Sequence, residues 1–323
     1  MTRGSFLIAA VFAALVVGRA WADVDLTGAS RYVAMGDCGI AVADDAAAID
    51  FNPASLGSMK LLPNMPDRYW QAPGDTLDKK LVGAQVMSTL NLAGDANDAA
   101  GYIGGQIVDE VHKKHGFAIG YKEFDTPATE GGPHAGEGGR TEQVSLGYGH
   151  EYYYQHWCWG FSFVHDKTDF SEIPVPAVET RATIFNHNLT NTLQAGGLFW
   201  FPQPHTPPIR AGIVIQDLVA NDGGPYLNLG GSVPVSQTLL FTTDWNDVFG
   251  RDELESINVG AEWAFEKAWR LRAGDANVFQ QSHTKDAPTA GVGWLFKKYR
   301  VDLAYVAPPA GTARWAMTGT YTF

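Results

Sequence analysis

Five charged residues in the C-terminal part of the chain, Glu262, Arg270, Arg272, Arg300 and Asp302, fall at alternate positions of segments whose other positions are apolar. From 257 to 265, Ile257, Val259, Ala261, Trp263 and Phe265 share one side against Asn258, Gly260 and Glu262. From 269 to 274, Trp269, Leu271 and Ala273 oppose Arg270 and Arg272, and from 299 to 306, Val301, Leu303 and Tyr305 oppose Arg300 and Asp302. Charges of both signs on neighbouring strands could filter a polar substrate or pair into a ladder that anchors a segment packed against them. Unpaired charge in a narrow space is costly and cross-strand pairing relieves it, so the ladder is the preferred reading.

Other reactive residue types offer less. Asp44-Asp45 could be a carboxylate pair for acid/base work, but beside an Ala-rich run it reads as complementing the dipole of a short helix. His112 and His115 are the closest histidine pair, at helical spacing, and read as surface residues. Cys38 and Cys158 are the only cysteines, and whether they pair is left open. With no His-x-x-x-His, no metal site is expected. No Gly-x-Ser-x-Gly elbow occurs, so no catalytic residues and no cofactor are expected, and the chain does not read as an enzyme.

The elements that position the charges are strands. Ala313 to Phe323 alternates without a break, with Trp315, Met317, Gly319, Tyr321 and Phe323 on one side. Weaker period-two segments run over 81–90, 117–124, 143–152, 157–166, 190–201, 209–218, 226–234, 238–245 and 289–296. Beyond residue 22 no run approaches the ~18 apolar residues of a helical span, and a membrane protein without such spans must be a closed barrel. Hydrophobic content of 45%, 36 glycines and aromatics at 12% suit half-polar strands. The expected fold is all-β, a transmembrane antiparallel barrel of 14 strands, with 12 as the alternative, bearing Trp263, Trp294, Trp315, Tyr305 and Tyr321 outward. A net charge of −12 argues against a nucleic-acid partner.

The N-terminus carries Arg3, an apolar stretch from Phe6 to Val17 and Ala20-Trp21-Ala22 before Asp23, which reads as a secretory signal peptide over 1–22. Val235-Ser236, Glu266-Lys267-Ala268 and Lys297-Lys298 are short, as periplasmic turns should be. Asp125 to Arg140 and Asp169 to Asn188 are long and polar, as outward loops should be, and Ile173, Val175, Val178 and Ile184 in the second could line a pocket or a patch. Between Asp95 and His115, Ile103, Ile107 and Val111 at i, i+4 and i+8 predict an amphipathic helix capped by Asp98 and packed on the barrel rim.

Residues 23–62 do not alternate. They are rich in Ala and Gly, and Pro53 breaks a helix-favouring stretch. Ser30-Arg31, then Met35-Gly36, Ala43-Asp44-Asp45 and Asn52-Pro53-Ala54-Ser55-Leu56 resemble the N-terminal hatch of the FadL-type channels and their PorV/PorQ relatives. The likeness is close over 28–57 and general, in strand pattern, elsewhere. The end on Tyr321 and Phe323 also resembles the C-terminal signal by which outer-membrane barrels engage the barrel-assembly machinery.

The resemblance implies a monomeric 14-stranded barrel in outer-membrane lipid, a hatch over 23–62 that includes Met35, Gly36, Asp44, Asp45, Asn52, Pro53 and Ala54, and a barrel over 63–323. It further implies passive transport of small hydrophobic molecules or, in the PorV-like relatives, a role in protein secretion in which the extracellular end holds a secreted protein. Transport is the favoured expectation.

Overall fold

The computed structural model describes residues 29–59, 82–91, 99–108, 114–126, 138–152, 156–171, 187–203, 206–219, 225–249, 256–266, 268–278, 287–307 and 313–323. Fourteen antiparallel strands close into one barrel. They are β1 (Val82–Asn91), β2 (Ala99–Val108), β3 (Lys114–Thr126), β4 (Gly138–Tyr152), β5 (Trp157–Ser171), β6 (His187–Phe201), β7 (Ile209–Gln216), β8 (Tyr226–Pro234), β9 (Leu239–Asn246), β10 (Ser256–Phe265), β11 (Trp269–Ala276), β12 (Ala287–Phe296), β13 (Tyr299–Val306) and β14 (Arg314–Thr322). Each strand pairs with its sequence neighbours, and β1 closes on β14 with Thr89 opposite Thr318. Closure leaves no edge, which is the condition for crossing hydrocarbon with strands. The proposed signal peptide lies outside the described residues.

Two expectations need correction. The helix foreseen over 95–115 is β2 together with the start of β3. A spacing of i, i+4 fits a period of two as well as 3.6, and Ile103 and Ile107 both point outward while Tyr102, Gly104 and Gln106 point inward. Asp98 and Val111 fall outside the described residues. The long loops are also trimmed at both ends, because β3 to β6 extend two or three residues into each: Arg140 and Asp169 are paired strand residues. Residues 173, 175, 178 and 184 lie outside the described set.

The C-terminal hairpins repeat. Strands β7, β9, β11 and β13 begin at Ile209, Leu239, Trp269 and Tyr299, a 30-residue step. The first three end on left-handed Asp217, Asp247 and Asn277, a conformation that Asp and Asn tolerate. The Asn228 and Asn258 side-chain oxygens accept from the Asp247 and Asn277 amides at 2.8 and 2.9 Å.

The outer surface is apolar. Val86, Ile103, Phe117, Ile119, Leu146, Phe161, Ile213 and Phe241 are all exposed on it, as a lipid-facing wall requires. Aromatic side chains gather at the short-turn end: Trp269 contacts Phe265 and Trp294, Trp294 stacks on Phe296, and Tyr299 meets Tyr321. This is the girdle that amphipathic rings form where a bilayer meets water. Tyr305 and Trp315 meet at the opposite end of the strands.

Candidate functional site: the filled barrel interior

Residues 29–59 run inside the barrel as short turns, helical over Ser30–Val33 and Ala48–Phe51 and 3₁₀ over Pro53–Ser58. Most of this segment is fully buried, including Tyr32, Met35, Ile49 and Leu56. Its local structure follows from its residues. Asn52 caps the 3₁₀ turn by accepting from the Ala54 amide at 3.1 Å, and Pro53, which has no amide hydrogen to leave unpaired, takes the first position. Gly36 has φ +67°, and a Cβ there would lie 2.6 Å from the carbonyl oxygens of Asp275 and Val259, so only glycine fits. Tyr32 packs on Phe51 with ring centroids 4.8 Å apart, tying the ends of the segment together.

On the β10–β13 side, charge holds the segment. Arg31 pairs with Asp44, and its Nε lies 3.2 Å from Glu262 Oε2. The same Glu262 oxygen accepts from Arg272 Nε at 2.8 Å, and Arg272 Nη1 donates to Asp302 Oδ1 at 2.7 Å. Asp302 Oδ2 sits 2.7 Å from Arg300 Nε as a charge contact without hydrogen-bond alignment, and Arg300 Nη2 donates to Asp45 Oδ2 at 2.6 Å. Four carboxylates and three guanidiniums thus form one continuous chain that starts and ends on the segment and crosses three wall strands. Arg272 is 2% exposed, so removing one partner would strand its neighbours without water. Although burial alone would lower it, Asp44 and Glu262 hold the Arg31 guanidinium well above its ordinary pKa.

The structure brings together Glu262, Arg272, Arg300 and Asp302 and adds Arg31, which the sequence reading named only within the Ser30-Arg31 motif and not as a partner of these charges. Arg270 shares their face of β11, but its Nη1 donates to the Trp269 carbonyl at 2.9 Å. Asp44 and Asp45 differ from expectation. Asp45 Oδ1 accepts from the Ala47 amide at 3.2 Å, near the start of the Ala48–Phe51 turn, yet Ala47, which caps that turn, makes no side-chain hydrogen bond to it, and both aspartates are chiefly partners of arginines. Buried guanidiniums bind a carboxylate more strongly than the dipole of a four-residue helix could.

On the β3–β6 side, close backbone approach dominates, beside an ion pair of Lys122 Nζ with Asp50 Oδ2 at 3.0 Å. Gly116, Gly149, Gly160 and Gly196 sit directly opposite one another on four successive strands. A Cβ at Gly116 would fall 1.8 Å from the Leu56 carbonyl oxygen, and one at Gly160 would fall 2.5 Å from Pro53 backbone atoms. Backbone therefore lies on backbone across this arc. The available signal was alternation of small and large residues, as in Gly116-Phe117-Ala118-Ile119-Gly120-Tyr121, which marks an inner face with no room for side chains.

Hydrogen bonds fix the segment elsewhere. Asp244 Oδ2 accepts from the amides of Gly39 and Ile40 at 2.7 and 2.9 Å. Gln85 accepts from the Ala46 amide and Gln106 donates to the Gly57 carbonyl, at 2.9 and 2.7 Å. Thr318 accepts from the Ser30 amide and Thr289 from that of Gly36. Asn52 Nδ2 donates to the Ile40 and Gly197 carbonyls at 2.9 and 3.0 Å, linking two parts of the segment to β6. Cys38 and Cys158 are both free and buried, so they do not pair. Burial, with Asp244 nearby, pushes the Cys38 thiol well above its ordinary pKa.

No protein-family model matches the sequence, and no curated protein matches it. Among solved structures, a deltaS2S3 mutant of the monoaromatic hydrocarbon channel TodX matches with a TM-score of 0.52 at 13% identity, over 93% of this chain and 99% of that one. A mutant porin of Rh. blastica matches at 0.42 with 10% identity, over 76% of this chain and 100% of the porin. CdiB from Acinetobacter baumannii matches at 0.40 with 10% identity, and the chain spans 60% of its length. The likeness to TodX is one of fold, a closed transmembrane β-barrel.

Proposed function

We propose that this protein is an outer-membrane channel for small hydrophobic molecules in which residues 29–59 act as the hatch. The observation that carries the reading is the filled interior. Ion pairs and backbone contacts around the wall hold the segment across the lumen, which argues against an open water-filled pore. An apolar solute crossing such a barrel would be handed between apolar surfaces, each CH₂ kept from water being worth about 0.8 kcal/mol. The barrel shape shared with TodX, a monoaromatic hydrocarbon channel, supports the same class of solute.

Uptake into liposomes carrying the purified protein, with a panel of fatty acids and monoaromatic hydrocarbons, tests this. Uptake faster than in empty liposomes is expected for at least one class. Uptake no faster than in empty liposomes for every solute would remove the transport reading.

One observation favours a secretion-accessory role instead. Leu218, Val219 and Phe249, 41, 63 and 67% exposed, follow the left-handed turns of neighbouring hairpins at the long-loop end. Exposed apolar residues at that end suit a protein partner. A stable secreted protein recovered with the purified barrel, and lost on changing Val219 and Phe249 to Ser, would establish it.

A further inference from the structure

On the outer face of the barrel, at the short-turn end, three polar groups converge within a field of aromatic and aliphatic side chains. His115 of β3 and His150 of β4 are direct cross-strand partners. Their Nδ1 atoms are 3.2 Å apart, and the Tyr148 hydroxyl lies 2.8 Å from His115 Nδ1. Phe117, Trp159 and Phe161 surround the group, with Tyr152 edge-on to the His150 ring. Further along the same face of these strands come Ile119, Tyr121, Leu146 and Val144, all exposed to lipid.

Two of these polar groups crowd one nitrogen. A neutral imidazole nitrogen carries either one hydrogen or one lone pair in its plane. His115 Nδ1 is within bonding distance of two partners, so one site serves two bonds. A cation at the centre would instead accept all the lone pairs together. Imidazole nitrogens about 2.0–2.1 Å from a tetrahedral Zn²⁺ stand roughly 3.3 Å from each other, close to the 3.2 Å between the two rings here. The phenol oxygen, 2.8 Å from His115 Nδ1, would have to withdraw from that nitrogen by about 0.5 Å to reach the same ligand-to-ligand spacing. The donor set, two imidazoles and a phenol, suits a divalent transition metal rather than Mg²⁺ or Ca²⁺.

We propose that His115, His150 and Tyr148 form a binding site for one divalent transition-metal ion at the membrane–periplasm boundary of the barrel. The level is reachable from water, since it lies beside the connections that follow β2 and β4 and within the aromatic girdle. The ion would clip β3 to β4 on the outer face, one residue from the inner-face pair in which Lys114 Nζ donates to Glu151 Oε2 at 2.7 Å.

Calorimetric titration of the full-length protein in detergent with Zn²⁺ tests the site. One ion per chain is expected, with affinity falling at least tenfold in His115→Ala and in His150→Ala, less in Tyr148→Phe, and not at all in His165→Ala. Titration without stoichiometric binding, or binding unchanged in both histidine variants, would overturn the proposal. Should those variants fail to reach the heat-modifiable folded form, the wild-type protein loaded with one equivalent of Cu²⁺ decides by electron paramagnetic resonance. Hyperfine splitting from two imidazole nitrogens supports the site, and a spectrum lacking it refutes the site.

Discussion

Two arcs of the inner wall hold the same segment by different balances of charge and backbone contact. Close backbone approach occurs on both, at Gly260 and Gly274 as well as at Gly116 and Gly160, but the continuous ion chain lies on one. Along β10–β13 the wall reaches in with long charged side chains, and Arg31 and Asp45 meet it with theirs while Asp44 pairs with Arg31 from within the segment. Along β3–β6 the wall withdraws to backbone at Gly116, Gly149 and Gly160, where the turn from Pro53 to Ser58 lies directly on it, and Lys122 adds one ion pair to Asp50. A charged contact tolerates distance and repacking, because long side chains adjust. A backbone contact tolerates neither. The first arc should therefore set how strongly the segment is held, and the second should decide whether it fits at all.

The largest effect is expected where fit is absolute. Gly160→Val must push its Cβ into Pro53, and overpacking of this kind typically costs 1–3 kcal/mol even in cores that can relax. Here the obstructing atoms are backbone, so the segment should be expelled, seen as protease cleavage within 29–59. Uncut protein of wild-type stability would show that the arc yields. Next comes Arg272→Met, which leaves Glu262 and Asp302 facing each other's charge and should cost about 3–5 kcal/mol in denaturant unfolding. Adding Glu262→Gln and Asp302→Asn should restore most of that loss. A single variant as stable as wild type would mean that the ion chain contributes nothing to holding the segment.

Sequence and structure part company along the same line. The charged arc was legible because Glu262, Arg272, Arg300 and Asp302 break an apolar alternation, and alternation also located thirteen of the strands. The part Arg31 plays in the ion chain was not legible, since the Ser30-Arg31 motif marks a segment and a cation in a non-repeating segment has no alternation to reveal its partner. The glycine arc was visible only as composition. Its register, Gly116 opposite Gly149 opposite Gly160, exists once strands are paired. β2 was misread because three isoleucine and valine positions four apart satisfy two periods at once. The 30-residue hairpin step went unseen because it lies in strand starts and Asx turns rather than in repeated residues.

Two smaller effects sharpen the comparison. Asn52→Ala removes the cap of the 3₁₀ turn and the two bonds to the Ile40 and Gly197 carbonyls. A loss of roughly 1–2 kcal/mol is expected by denaturant unfolding, less than for Arg272→Met. The smallest is a test of access. The thiolate is the reactive form, and burial that raises the Cys38 pKa keeps it a thiol at neutral and mildly alkaline pH. Thiol-reactive dyes should leave Cys38 unmodified at pH 8 in the folded protein and modify it after denaturation. Rapid labelling of the folded form would mean that the segment is looser between the arcs than its hydrogen bonds to Asp244 imply.

Conductance across a planar bilayer tests the central claim most directly, comparing the intact protein with a variant lacking residues 29–59 that still shows heat-modifiable folding. If the segment closes the lumen, the intact protein should conduct little and the deletion should open a large, steady, water-filled pore. Equal conductance in the two would contradict the account.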